Sequence, residues 1–583
     1  MQSATTGFRV VGSGIAVGSL TLALAACPPG REAPGDIAVD SVQVELLKNG
    51  DIGVRDANAS FIDGNRLLIE ATVENARRED TVIVIRPEGE PIALRDNGEE
   101  GDRAAGDGIF SGVTTIDPQI LAAEHQRIAR TARGGVLTRF EGRLPIEPVR
   151  LELDALVDIR RLRELDRFPF FPLGVARQSL IDASLMITST SVVTDTLRTF
   201  NPCTGVGNAT GVWTFGHLMT EMANQGATGI APSDFVRSWL AQWETAQTVN
   251  TFPIPARTAI QSQIIGPWEA ASGGATLDLT KAPFRLLAIV NRVDLRQNLV
   301  YGGGSAGEGR FVFGAVRLDA NCAPLPFAVI FEYGITKASC QAVKAWGKEW
   351  ADLEALTPGT AAYNQALEAI TQQFVSAGAD ANQAPNLNAL NQLRTNEIAI
   401  GSPWELREFV LSSDAATAGR LVSTTTKQEP DAAINMTQRL ADYVNANAAL
   451  IVDDRHQVPL EFPAGQAFLA SRSPVPSPSH FWGNGGAMPT ANSRFHLSLN
   501  TCSGCHGGET STPFVHVNPS GGLPAGLSGF LTGIDVTDPD PTDADNSVRH
   551  FDDLDRRAID LDGLVNSLCL RQIGFRPINR MVH

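Results

Sequence analysis

Long apolar runs are scarce in this chain. Beyond residue 26 of its 583 residues, no stretch is long enough to cross a bilayer as a helix. Positive charge is scarce too. Lys and Arg number 47 against 64 Asp and Glu, a net charge of −17, which argues against nucleic acid and anionic lipid surfaces as partners. Familiar reaction signatures are missing. There is no Gly-x-Ser-x-Gly elbow and no His-Glu-x-x-His zinc helix. The Gly-rich run 302–309 lacks the Gly-Lys-Ser/Thr ending of a phosphate loop and the spacing of a dinucleotide fingerprint, so it reads as a flexible or close-packed loop. Ser, His and Asp are too scattered to argue a triad. No long internal repeat is visible. Most of the chain therefore declares no reaction, and whether it is an enzyme stays open.

Cysteine and histidine are few, seven and nine, yet five adjacent residues use them tightly: Cys502-Ser503-Gly504-Cys505-His506. This is the C-x-x-C-H pattern of covalent c-type haem attachment. Two thiols bracketing two small residues suit addition to the two vinyl groups of one porphyrin, and the next residue, His506, then ligates the iron. Random order would give the pattern roughly once in a thousand chains of this composition. The opposite iron face needs His, Met, water or nothing. His516, ten residues on in an apolar Phe-Val-His-Val setting, is the favoured sixth ligand. His480, Met488, His496, His550 and Met581 are the others. Two alternatives use the same thiols: a Cys502–Cys505 disulfide, or a zinc site completed by His506 and His516.

The other terminus agrees with export. Met1 to Ala26 has one cation, Arg9, then an apolar run from Val10 to Ala26, the pattern of a secretory signal peptide. It ends in Leu24-Ala25-Ala26-Cys27, which resembles the lipobox of bacterial lipoproteins. That resemblance implies lipidation of Cys27 and attachment to a bacterial membrane through the lipid, on the periplasmic side or the cell surface. An uncleaved anchor is the alternative. Setting aside Cys27, Cys502 and Cys505 leaves Cys203, Cys322, Cys340 and Cys569, which suit an oxidising compartment. Cys322 with Cys340 would close a local loop around 327–333, and Cys203 with Cys569 would tie the middle to the end. Three connectivities are open, as are buried thiols.

The organisation reads as multidomain. Residues 1–27 are the leader and lipobox, and 28–39 are a Pro/Gly-rich tether. Residues 40–154 alternate like short strands separated by turns, which predicts an Ig-like β-sandwich. Within them, the Asp/Gly-rich loop carrying Asp96, Asp102 and Asp107 resembles a turn motif of Ig-like modules. Its carboxylates either bind calcium or satisfy turn amides. Residues 168–465 interleave helices and strands without a regular βαβ period and are read as an α+β domain. Helices are predicted over 235–243, capped by Ser233 or Asp234, over 341–356, with Trp346 and Trp350 on one core-facing side, and over 361–375. Buried strands are predicted over 284–290, 311–318 and 327–331. The charges of 291–296 read as an ion-pair cluster. Ser/Pro-rich 471–478 reads as a linker into a small haem-binding region, 479–583, in which acidic 535–545 is a solvated loop or a second calcium candidate.

The run Asn-Thr-Cys-x-Gly-Cys-His-Gly-Gly-Glu-Thr over 500–510 is similar to one in exported bacterial lipoproteins of no assigned activity. The expectation is an exported, lipid-anchored monohaem protein of the cytochrome c type, transferring electrons to an unknown partner outside the cytoplasm. The rival is a non-catalytic binding or structural lipoprotein, stapled at Cys502–Cys505.

Overall fold

The computed structural model describes residues 53–63, 66–74, 82–85, 92–98, 102, 105–106, 108–115, 149–152, 178–296, 306–337, 340–452, 456–483, 488, 490–541 and 547–566. The leader with Cys27, the tether, Asp107, Cys569, Met581 and the Cys340 side chain lie outside this set.

Near the N-terminus, strands Gly53–Asp63, Arg66–Glu74 and Ile109–Thr115 form an antiparallel sheet. Val82–Ile85 pairs with Ile92–Leu94 antiparallel and with Val149–Glu152 parallel. A bridge between Arg95 and Ser111 links the two sheets, and Ile69, Ile92, Leu94 and Phe110 are buried.

The rest is built on one sheet of eight antiparallel strands. In chain order these are β1 (Met186–Ile187), β2 (Phe284–Arg292), β3 (Glu308–Val316), β4 (Pro324–Gly334), β5 (Leu390–Glu397), β6 (Trp404–Leu411), β7 (Leu421–Ser423) and β8 (Ser473–Val475). Spatial neighbours follow the chain from β1 to β7, and β8 pairs with the Trp404 end of β6. Successive side chains point to opposite faces, so the sequence makes the two faces chemically different. One face carries Phe311, Phe313, Phe327, Phe331 and Phe409. Phe313, Phe327, Phe331 and Phe409 pack against Phe215, Trp239 and Trp243, and Phe311 packs against Phe374. Each such burial is worth about 1.5–3 kcal/mol. The opposite face carries Arg310, Glu332, Arg394 and Glu408, all buried.

Helices that frame the site and its core include α1 (Phe215–Ala223), α2 (Pro232–Leu240), α3 (Cys340–Ala351), α4 (Ala361–Val375), α5 (Gln438–Val452), α6 (Ala491–Leu499), α7 (Cys502–Cys505) and α8 (Asp553–Asn566). Trp346 and Trp350 of α3 are core residues in edge-to-face contact. Helix α2 starts earlier than expected. Ala231 is its cap and Pro232 its first residue, so neither Ser233 nor Asp234 caps it; proline's fixed φ suits that first position.

Three other expectations are corrected. The 471–478 segment is no linker, since Ser473–Val475 is a strand of the large sheet. One core joins residues of 180–421 with Phe495, Cys505, Phe530 and Leu561, so 479–583 shares its interior with the preceding region. Cys322 pairs with Cys203, 119 residues away, and not with Cys340. The acidic 535–545 stretch is also partly buried: Asp538 and Asp540 pair with Arg494.

Candidate functional site

The motif forms the single turn α7, and its neighbours fix it. Thr501 caps the turn by accepting from the Gly504 amide at 3.0 Å. A Cβ at Gly504 would lie 2.1 Å from the Ser498 carbonyl oxygen, so the second spacer position has room only for glycine. Ser503, the first spacer, donates its hydroxyl to buried Glu429 and accepts from the Trp482 indole at 2.8 Å. Glu509 binds Arg494, and Thr510 donates to the Cys505 carbonyl. The 500–510 run is thus a set of local contacts that hold two sulfurs in place. Both sulfurs are buried thiols, not joined to each other. Burial, then Glu429, pushes the Cys502 thiol well above its ordinary pKa.

His506 ends the turn and stacks on Trp404 of β6, with centroids 5.2 Å apart. Its Nδ1 lies 2.8 Å from the Phe514 carbonyl. A carbonyl only accepts, so Nδ1 carries the proton and Nε2 keeps its lone pair. Burial lowers the His506 pKa to about 4, so the ring is neutral at neutral pH. A neutral, oriented imidazole is what a metal ligand requires.

His516 is the second histidine here, its centroid 4.4 Å from that of His506. Its Nε2 is 3.3 Å from the Cys505 sulfur and its Nδ1 is 2.8 Å from the Ser528 hydroxyl. Burial, then His506, holds its pKa well below the usual value. An iron between two imidazoles needs centroids roughly 6 Å apart, given metal–nitrogen bonds of about 2 Å. As folded, His516 serves Cys505, and an axial role requires the rings to part.

A narrow cavity of about 60 Å³ opens between these histidines and the charged face of the sheet. Val290, Val312, Ala328, Ile330, Leu406 and Leu531 give it apolar walls. Arg292, Arg310, Arg394 and Arg557 also line it, with Glu332 among them. The sheet residues are every second residue of their strands, so one alternation supplies both the wall and the cations. Arg310 reaches Glu308 at 2.6 Å and Glu332 at 3.1 Å, and Arg394 reaches Glu332 and Glu408, each at 3.1 Å. Burial opposes the charged Glu332 carboxylate, but Arg310 and Arg394 overcome it and hold its pKa below the ordinary value.

The turn offers donors of the types a porphyrin uses, a neutral imidazole and two thiols; the imidazole lines the cavity and the two sulfurs do not. Sequence reasoning found Cys502, Cys505, His506 and His516, and the structure brings all four together. It missed the arginines and Met186, which also lines the cavity. Of the other axial candidates, His480, Met488, His496 and His550 do not line it, and Met581 lies outside the described residues. Among the described residues no three His, Cys, Asp or Glu side chains converge as metal ligands, which leaves the zinc alternative without support. In the Asp/Gly-rich loop, Asp96 accepts from the Gly106 and Gly108 amides and Asp102 from the Gly98 amide. The turn role is therefore filled by these carboxylates. Comparison with protein-family models, curated proteins and solved structures finds no match for the chain.

Proposed function

We propose that this protein is an exported, lipid-anchored carrier of one covalent haem c that transfers electrons outside the cytoplasm. The observation that carries the reading is a buried C-x-x-C-H turn whose histidine is neutral, oriented by the Phe514 carbonyl and set at the wall of a cavity. Cys502 and Cys505 hold the porphyrin edge and His506 holds the iron. The bound group supplies a one-electron couple, and the buried walls and arginines set its potential. His516 would supply a second nitrogen ligand once freed from the Cys505 sulfur. Once Cys505 is a thioether it has no S–H to share, which releases the imidazole nitrogen it now engages. Cys27 carries the lipid. Residues 40–154 form an Ig-like β-sandwich. The acidic chain, at −17, steers a basic redox partner.

The test is export from a host that matures c-type cytochromes, followed by denaturation and pyridine haemochrome absorbance. Haem that stays with the denatured polypeptide, and is lost in the Cys502→Ala, Cys505→Ala double variant, is the expected result. A colourless polypeptide with both thiols unmodified overturns the reading. In the loaded protein His516→Ala should change the low-spin spectrum; an unchanged spectrum moves the second ligand to another residue, Met186 first.

A further inference from the structure

The hairpin that joins β5 to β6 closes on two carboxylates. Glu397, last in β5, stands directly opposite Glu405 of β6, and both are fully buried. Like charges placed so oppose strand pairing, so cations must reach them. Arg257 at 3.0 Å and Arg472 both reach one Glu405 oxygen, and Arg407 reaches the other at 2.6 Å. Glu405 is therefore satisfied. Glu397 is not: Arg257 Nη1 lies 2.9 Å from Oε1, yet neither Glu397 oxygen has hydrogen-bond geometry with a partner. The charged groups facing it are Arg257, from the segment after α2, and Glu405 and Arg407, from β6; on its other side β4 sets Phe327 opposite it. Burial outweighs the two arginines, Glu405 adds to it, and the Glu397 pKa rises to about 7.

The same guanidinium holds the hairpin loop. Arg257 donates from Nη1 to the Gly401 carbonyl and from Nη2 to the Pro403 carbonyl, each at 2.7 Å. Gly401 lies on the arginine's arm, where a Cβ would sit 3.1 Å from Arg257 Cδ. Trp404 comes next, between two residues that Arg257 binds, and His506 stacks on it. One guanidinium thus has two claimants. While Glu397 keeps its proton, the loop carbonyls hold Arg257. An ionised Glu397 offers Nη1 a charge-assisted bond, roughly twice as strong as one to a neutral carbonyl. We propose that Glu397 and Arg257 form a proton-operated clamp on the β5–β6 hairpin: loss of the Glu397 proton turns Arg257 from the Gly401 carbonyl to the carboxylate and loosens the loop that sets Trp404 against His506. The clamp goes beyond the haem reading and stands without it, since it is built from residues of the chain that bind no haem.

The experiment is hydrogen exchange of the full chain at pH 6 and pH 8, read by mass spectrometry on peptides across 398–404 and corrected for the intrinsic pH dependence of exchange. The Ile398 and Ala399 amides, donated to the Pro326 carbonyl, and the Gly401 amide, donated to the Ile398 carbonyl, report on the loop. Their protection should fall about fivefold from pH 6 to pH 8, the net worth of roughly one hydrogen bond. Glu397→Gln, which has the shape of the protonated side chain, should keep the pH 6 protection at both values. Glu429→Gln, which removes another group raised to about 7, should leave the fall as in wild type. Arg257→Lys keeps the charge without the fork and should be as weakly protected at pH 6 as wild type is at pH 8. Equal protection of the wild type at both values, or a fall that persists in Glu397→Gln, overturns the clamp. If Arg257→Lys does not fold, the wild type and Glu397→Gln decide. A failed clamp leaves the haem reading standing, and a colourless polypeptide leaves the clamp standing.

Discussion

Gly504 shows how little freedom the motif has. Its backbone is held against Ser498, and a side chain there meets a carbonyl that belongs to the preceding turn. Gly504→Ala should cost about 1–3 kcal/mol, the usual range for overpacking, and urea denaturation would measure it. An unaffected midpoint would mean that the turn yields easily. Ser503 and Thr501 show the same economy, since one hydroxyl links Glu429 to Trp482 and the other caps the turn. The chemistry of this segment was legible in the sequence because its residue types are rare and their spacing is specific. The contacts of Glu429 and Trp482 were not, because they come from 74 and 21 residues away.

At the level of elements, Glu429 makes the turn pH-sensitive. It is fully buried with hydroxyl and amide partners, and burial raises its pKa to about 7. The ordinary value is 4.5, so the folded protein holds this proton more tightly than the unfolded chain does. The stability it contributes is complete below about 4.5 and is lost as pH rises through about 7, a change of about 3 kcal/mol. Burial raises Glu397 and Glu509 to about 7 as well, so Glu429→Gln should reduce the dependence of the denaturation midpoint between those limits by about a third; a slope equal to wild type would assign the titration elsewhere. The strands and helices themselves were largely readable. Helix α4 was expected over 361–375 and occupies Ala361–Val375, because a threonine cap and an apolar stripe mark it. What alternation alone did not reveal was the meaning of the charged face. Arg310, Glu332 and Arg394 look like surface residues of an exposed sheet, and only the return of the chain after β8 buries them.

The whole molecule is tied by contacts that ignore the apparent segments. Cys203–Cys322 spans 119 residues, and a cross-link over so long a loop stabilises mainly by restricting the unfolded chain. Replacing both by serine should lower stability by about 2–4 kcal/mol, read as a shift in the urea midpoint with no change in far-UV circular dichroism. Non-reducing peptide mapping should recover this pair, and a Cys322–Cys340 peptide in its place would contradict the connectivity. The Ser/Pro composition of 471–478 suggested a boundary. Edge strands tolerate proline, and this stretch joins β6 instead. Such long-range choices among cysteines and edges leave no local trace.

That closure sets an order of events. Cys502 and Cys505 have no exposed surface, and β8, α6 and α8 belong to the same body that covers them. A large enzyme or a bulky alkylating reagent meets these sulfurs only while strand β8 and helices α6 and α8 are still undocked. Whatever is joined to them is joined first, and the finished protein is sealed around it.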